Sequence, residues 1–211
     1  MLETALTPNL AFSHLASDER IERTVQALEA NNMRALVVAS GDEARHQVLE
    51  MLPPGAEVYT GGSRTLEAIG LSAEINESGR YQAIRPRLFA MDRQTQGREM
   101  RKLGASPDVV VGSVHAITEQ GQVLIASAGG SQLAPYAYGA GQVIWVAGTQ
   151  KLVRDLDEGL RRIHEYSYPL EDARLREAYG RPSSVNKILI FNREYMPGRV
   201  TVVLVKENLG F

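Results

Sequence analysis

Apolar and polar positions follow two different periods along this chain, and the switches between them predict its elements. Ile21, Val25 and Leu28 recur at helical spacing behind the capping pair Ser17-Asp18, until Asn31-Asn32 ends the run. Ala35-Leu36-Val37-Val38-Ala39 is an unbroken apolar stretch, as expected of a strand covered on both faces. A helix over about 42–51 stops at Pro53-Pro54-Gly55. Glu57-Val58-Tyr59-Thr60 is a second short strand, leading through Gly61-Gly62-Ser63 into a helix with Leu66 and Ile69 inward. Residues 71–90 carry mixed signals, and 92–103 reads as helix. Asp108-Val109-Val110-Val111-Gly112 is the cleanest buried strand up to that point in the chain, and 114–119 and 122–127 flank Gln120-Gly121 as a tight hairpin. Gln142 to Ala147 is another buried strand, with Trp145 in the core. Helices over about 155–165 and 171–178 follow, and two strands, 187–191 and 200–205, close the chain across Pro197-Gly198.

Strands alternating with helices predict an α/β fold with a mostly parallel sheet, helices on both faces, and the hairpin and the last two strands as antiparallel additions. No internal repeat and no low-complexity linker interrupts the pattern. The 211 residues suffice for one sizeable core, so a single domain over 1–211 is expected, with 1–33 as an N-terminal helical segment packed on it.

Composition narrows the function classes. The chain has no cysteine, which excludes a disulfide framework, a thiolate nucleophile, Cys-ligated zinc and a cluster held by its own cysteines. A net charge of -2 without a basic run argues against nucleic acid or anionic membrane as a partner. No apolar run approaches the roughly 20 residues that cross a bilayer, and Met1 to Ser13 lacks the basic and apolar regions of a leader, so a cytoplasmic protein is expected. The four histidines have no ligand spacing, and no metal site is expected.

The candidate chemistry lies in small-residue loops that follow strands: Ser40-Gly41-Asp42, Gly61-Gly62-Ser63, Gly112-Ser113, Ala128-Gly129-Gly130-Ser131 and Gly148-Thr149-Gln150-Lys151. In an open parallel sheet such loops share one edge, where glycines admit close backbone approach and helix N-termini attract anions. One anion-tolerant cleft is the expectation, and plain tight turns are the alternative for each loop taken singly. None matches a phosphate loop, a dinucleotide fingerprint or a nucleophile elbow. Lys151 either brings an ammonium to the cleft or is an exposed lysine at a helix start. Glu119 either sits exposed at the hairpin tip or serves as nucleophile or base, and His115, four residues earlier, falls on the same side of an extended strand. A structural role is the alternative for His115. The arginine-rich helices read as solvated faces without a functional role.

Several runs resemble the LUD-domain lactate-utilisation family. They are Gly61-Gly62-Ser63 with Thr65-Leu66-Glu67 and Ile69-Gly70, the stretch Asp108 to Glu119 with Gly121, and Ser131-Gln132 with Tyr136, Tyr138 and Gly139-Ala140-Gly141. Val143 to Lys151, Asp155 to Glu158, Pro169 to Asp172, Asn186-Lys187 and Gly198-Arg199 continue the match, which covers about 55–211. The resemblance implies a Rossmann-like fold of the CoA-transferase and sugar-phosphate-isomerase kind with its site at the strand ends. It also implies a role in oxidising L-lactate to pyruvate beside iron–sulfur proteins. As this chain resembles the small members without clusters, it implies an accessory subunit with no cofactor of its own, the clusters lying on partner proteins. Thr118-Glu119-Gln120-Gly121 further looks like the segment bearing the nucleophilic glutamate of CoA transferases, which marks Glu119 as a catalytic candidate. Three readings result: an accessory subunit binding a small anionic metabolite, a CoA-transferase-like or phosphoryl-transfer enzyme using Glu119, and a regulatory metabolite-binding module. The cleft residues expected to touch the ligand are Gly61, Gly62, Ser63, Gly112, Ser113, His115, Gly129, Gly130, Ser131, Gly148 and Lys151. A homodimer is compatible with all three.

Overall fold

Six strands form the central sheet: β1 (Met33–Val38), β2 (Glu57–Thr60), β3 (Gln82–Ala83), β4 (Val109–Gly112), β7 (Gln142–Gly148) and β10 (Val200–Val205). They lie in the order β1-β10-β7-β4-β2-β3, and every pairing is parallel. The structure is a computed structural model and describes residues 6–211. The part of the leader reading that falls on 1–5 lies outside the described residues.

Alternation along the strands divides the core. Val143, Trp145 and Ala147 of β7 with Val200, Val202 and Leu204 of β10 enter one cluster, and Ile144, Val146, Val203 and Val205 enter the other. On the second face lie α2 (Gly41–Met51), α3 (Arg64–Ala68) and α4 (Leu71–Glu77), through Ala44, Val48, Leu66, Leu71 and Ile75. The first face is covered by α1 (Asp18–Ala30), α5 (Ile84–Ala90) and a second sheet. That sheet contains β5 (Ala116–Thr118), β6 (Val123–Ser127), β8 (Leu152–Val153) and β9 (Lys187–Phe191), in the order β8-β5-β6-β9. Its outer side packs under α7 (Leu156–Arg162) through Ala116, Leu124, Ala126 and Ile163. Phe191 and Tyr136 meet the buried Trp145 edge-on, with ring centroids 5.4 and 5.5 Å away, and so join the two sheets.

Of the two final strands, one meets the expectation of an antiparallel addition and the other departs from it. β9 pairs antiparallel with β6, whereas β10 lies parallel in the middle of the main sheet. All six β10 residues, Val-Thr-Val-Val-Leu-Val, are buried, as a strand covered on both faces requires. β9 is largely exposed or half-buried, with only Phe191 buried, and forms an edge. The mixed segment resolves into α4, the two-residue β3 and α5. The helix expected from residue 92 starts later, as α6 (Gly97–Ala105), because the Asp92 carboxylate accepts from Gln94 N–H and Thr95 Oγ1–H and closes a turn instead. α7 continues through a wide π turn, Ile163–Ser167, into α8 (Tyr168–Tyr179).

Among the described residues, no helix is long and apolar enough to cross a membrane.

Candidate functional site

Adjacent strands β7, β4 and β2 end along one edge, and the loops that leave them enclose a cavity of about 560 Å³ with the end of β6. Gly61, Gly62 and Ser63 come from the loop after β2, Ser113 and His115 from the loop after β4, Lys151 from the loop after β7, and Gly129 and Ser131 from the end of β6. The remaining expected residues do not line it. Gly130 lies against Lys187 behind the loop, and Gly148 lies beneath Glu207 and Leu209 of the C-terminal segment. Ser40-Gly41 is likewise turned away, with Gly41 N–H donating to Glu207 Oε2 at 3.1 Å.

Gly112 shapes the cavity from beneath. A Cβ there would stand 1.6 Å from the Tyr136 hydroxyl, so only glycine lets that ring reach the floor. Tyr136 rides on a π turn, Pro135–Gly139. Its carbonyl, with those of Pro135 and Ala140, accepts from the buried Arg199 guanidinium, itself paired with Glu194 at 2.7 Å.

Lys151 is 1% exposed, against the alternative of a surface lysine. Its Nζ donates to Thr65 Oγ1 and Ser113 Oγ, both at 3.0 Å. Burial, and then the nearby charge of Arg162, push its amine well below the ordinary lysine range. Arg162 is fully buried; its guanidinium lies over the Tyr166 ring and donates to the carbonyls of Gln150 and His115 and to Ser167 Oγ, and its Nη2 has no hydrogen-bond partner among the described residues. Burial lowers it to about 10, so it stays charged at neutral pH. Among the described residues, neither side chain makes an ion pair: their hydrogen-bond partners are hydroxyls and carbonyls. Ala126 N–H donates to His115 Nδ1 at 3.1 Å, which puts the ring proton on Nε2. Burial, then the charges of Lys151 and Arg162, push His115 down to about 3 and keep it neutral.

Glu119 is elsewhere. Arg20 Nε bonds its Oε1 at 2.7 Å and Arg23 Nη2 its Oε2 at 3.0 Å, so both oxygens are engaged with α1 rather than the cavity. The hairpin tip docks on that helix: Gly121 takes φ +75°, a Cβ on it would meet the Ala27 backbone at 2.7 Å, and Asn31 Nδ2 donates to Gln120 O at 2.9 Å. The three-residue β5 separates His115 from Glu119 and the two do not pair.

Thr65 and Arg162 were absent from the sequence candidates. Arg162 had a legible signal, standing three residues after Gly159 and four before Tyr166 on the buried side of its helix. Thr65 had none beyond following Gly61-Gly62-Ser63.

The LUD domain family model matches residues 21–205. The chain belongs to the LUD-domain family. A search of curated proteins finds no match. Among solved structures, a DUF162 family protein from Deinococcus radiodurans is similar over 91% of this chain and 99% of its own, at 13% identity and a TM-score of 0.55, which shows a shared fold. Ribose 5-phosphate isomerase from Plasmodium falciparum is similar over 54% of this chain and 52% of its own, at 12% identity and a TM-score of 0.34. Ribose 5 phosphate isomerase A from Neisseria gonorrhoeae is similar over 68% and 57%, at 12% and 0.33.

Proposed function

We propose that this LUD-domain protein binds a small organic-acid anion in the cavity. We further propose that it serves, in the cytoplasm, as an accessory subunit of an L-lactate-oxidising assembly whose iron–sulfur centres belong to partner chains. One observation carries the binding reading: the buried Arg162 charge, just behind the lining residue Lys151, has no carboxylate partner among the described residues. An uncompensated buried cation is unfavourable, and a ligand carboxylate supplies the missing charge. Ser113 and the His115 Nε2–H, both on the cavity lining, are neutral groups able to orient such an anion. The assembly role is supported by family membership and by the absence of cysteine.

Titration calorimetry of the wild type with lactate, pyruvate and inorganic phosphate tests the binding reading. Binding of one of them, weakened at least tenfold in Ser113→Ala, is the expected result; heats indistinguishable from dilution for all three refute it. For the assembly role, deletion of the gene abolishes growth on L-lactate and the tagged protein co-purifies with cysteine-rich subunits. Normal growth of the deletion strain refutes it.

A further inference from the structure

A serine hydroxyl attacks carbonyl carbon only when an adjacent base takes its proton. Ser113 Oγ has such a neighbour in Lys151 Nζ, 3.0 Å away, and a third group holds the pair in place. Thr65 Oγ1 lies 3.0 Å from Nζ and 3.1 Å from Ser113 Oγ, while its own hydrogen is donated to the Leu209 carbonyl at 3.0 Å. Thr65 is therefore only an acceptor toward the pair, and it fixes where Nζ stands. Lys151 is 1% exposed and Ser113 is half-buried on the cavity lining, so a ligand meets the hydroxyl before the amine. That order of access separates a nucleophile from the base behind it. Burial, and then the fixed charge of Arg162 nearby, disfavour the ammonium. His115, on the same lining, carries a neutral Nε2–H suited to an oxygen that gains negative charge.

We propose that Ser113 and Lys151 are a nucleophile–base pair for acyl transfer from an activated carboxylic ester or thioester. Ser113 Oγ bonds to the acyl carbon as its proton passes to Lys151 Nζ. The C–O or C–S bond to the leaving group then breaks, and the departing alkoxide or thiolate takes that proton from Nζ. Water repeats the sequence on the acyl-serine, giving its proton to Nζ as it attacks, and the serine leaves and recovers the proton while the free acid is released. No electrons are exchanged with any other species. The pair uses the cavity of the anion-binding reading but does not depend on it, since a neutral ester satisfies the chemistry.

The test uses the full chain with p-nitrophenyl acetate and an alkyl fluorophosphonate. We expect one adduct per chain, mapped by mass spectrometry to Ser113 and absent in Ser113→Ala. Acylation in Lys151→Met slows at least tenfold. In the wild type the acylation rate rises with pH to a plateau with its midpoint below the ordinary lysine value, and this measurement stands even where the lysine variant does not fold. Absence of a Ser113 adduct with both reagents overturns the proposal, as does unchanged acylation in folded Lys151→Met or a rate without pH dependence. Pyruvate titration of the same preparations separates the two readings: an adduct without pyruvate binding leaves the dyad standing and removes that ligand, whereas binding without an adduct does the reverse.

Discussion

Replacing His115 by Asn exposes what its neutral state costs in acid. In the folded chain the ring is held down to about 3, first by burial and then by the charges of Lys151 and Arg162, against an ordinary value of 6.5. Between these values the unfolded chain binds a proton that the folded chain does not, so stability falls as pH falls through this window. The slope is about 1.4 kcal/mol per pH unit, and the loss reaches about 2 kcal/mol at pH 5 relative to pH 8. Asn Oδ1 occupies the place of Nδ1 and still accepts from Ala126 N–H, so His115→Asn removes the titration and keeps the hydrogen bond. Urea midpoints of both proteins at pH 8, 7, 6 and 5 provide the measurement, all above the range where most carboxylates titrate. The wild type loses about 2 kcal/mol more than the variant over that range. Parallel stability curves refute the argument, because they mean that His115 protonates in the folded state as freely as in the unfolded one.

Gly112→Ala drives the Tyr136 ring off the cavity floor and weakens its edge-on contact with Trp145; a loss of about 2–3 kcal/mol in urea unfolding and a changed near-ultraviolet tryptophan signal are expected. Arg199→Met strands the buried Glu194 carboxylate and three carbonyls, costing about 3–5 kcal/mol, and adding Glu194→Leu recovers part of the loss in the same unfolding assay. Glu119→Gln costs at most about 1 kcal/mol, since Arg20 and Arg23 are partly exposed, and leaves calorimetric anion binding unchanged because the residue lies off the cavity. A tenfold loss of anion binding in that variant would instead return Glu119 to the site.

Much of the cavity was legible because strand–loop boundaries are local. Gly61-Gly62-Ser63, Gly112-Ser113 and the Gly148 to Lys151 loop each follow an apolar run, and parallel pairing brings their chain ends to one edge. Which loop residues face inward was not legible. Gly130 and Gly148 sit in the right loops yet point to Lys187 and the C-terminal segment, because packing of chain far away in sequence fills the space beside them. Period-two alternation placed His115 and Glu119 on one side of a strand, but β5 spans only Ala116–Thr118 and both residues lie beyond its ends.

The sequence by itself determined the α/β alternation, the hairpin at Gln120-Gly121, the core position of Trp145 and the absence of any cysteine-based chemistry. These depend on periodicity, turn residues and composition, all of which act over a few residues or none. The tertiary structure alone decided the rest. It set β10 into the middle of the sheet, docked Glu119 on α1, and gathered Thr65, Ser113 and Lys151 on one cavity wall with Arg162 behind them. The physical reason is desolvation: the lowered proton affinities of Lys151 and Arg162 are properties of burial, and burial is created by segments that the local sequence does not contain.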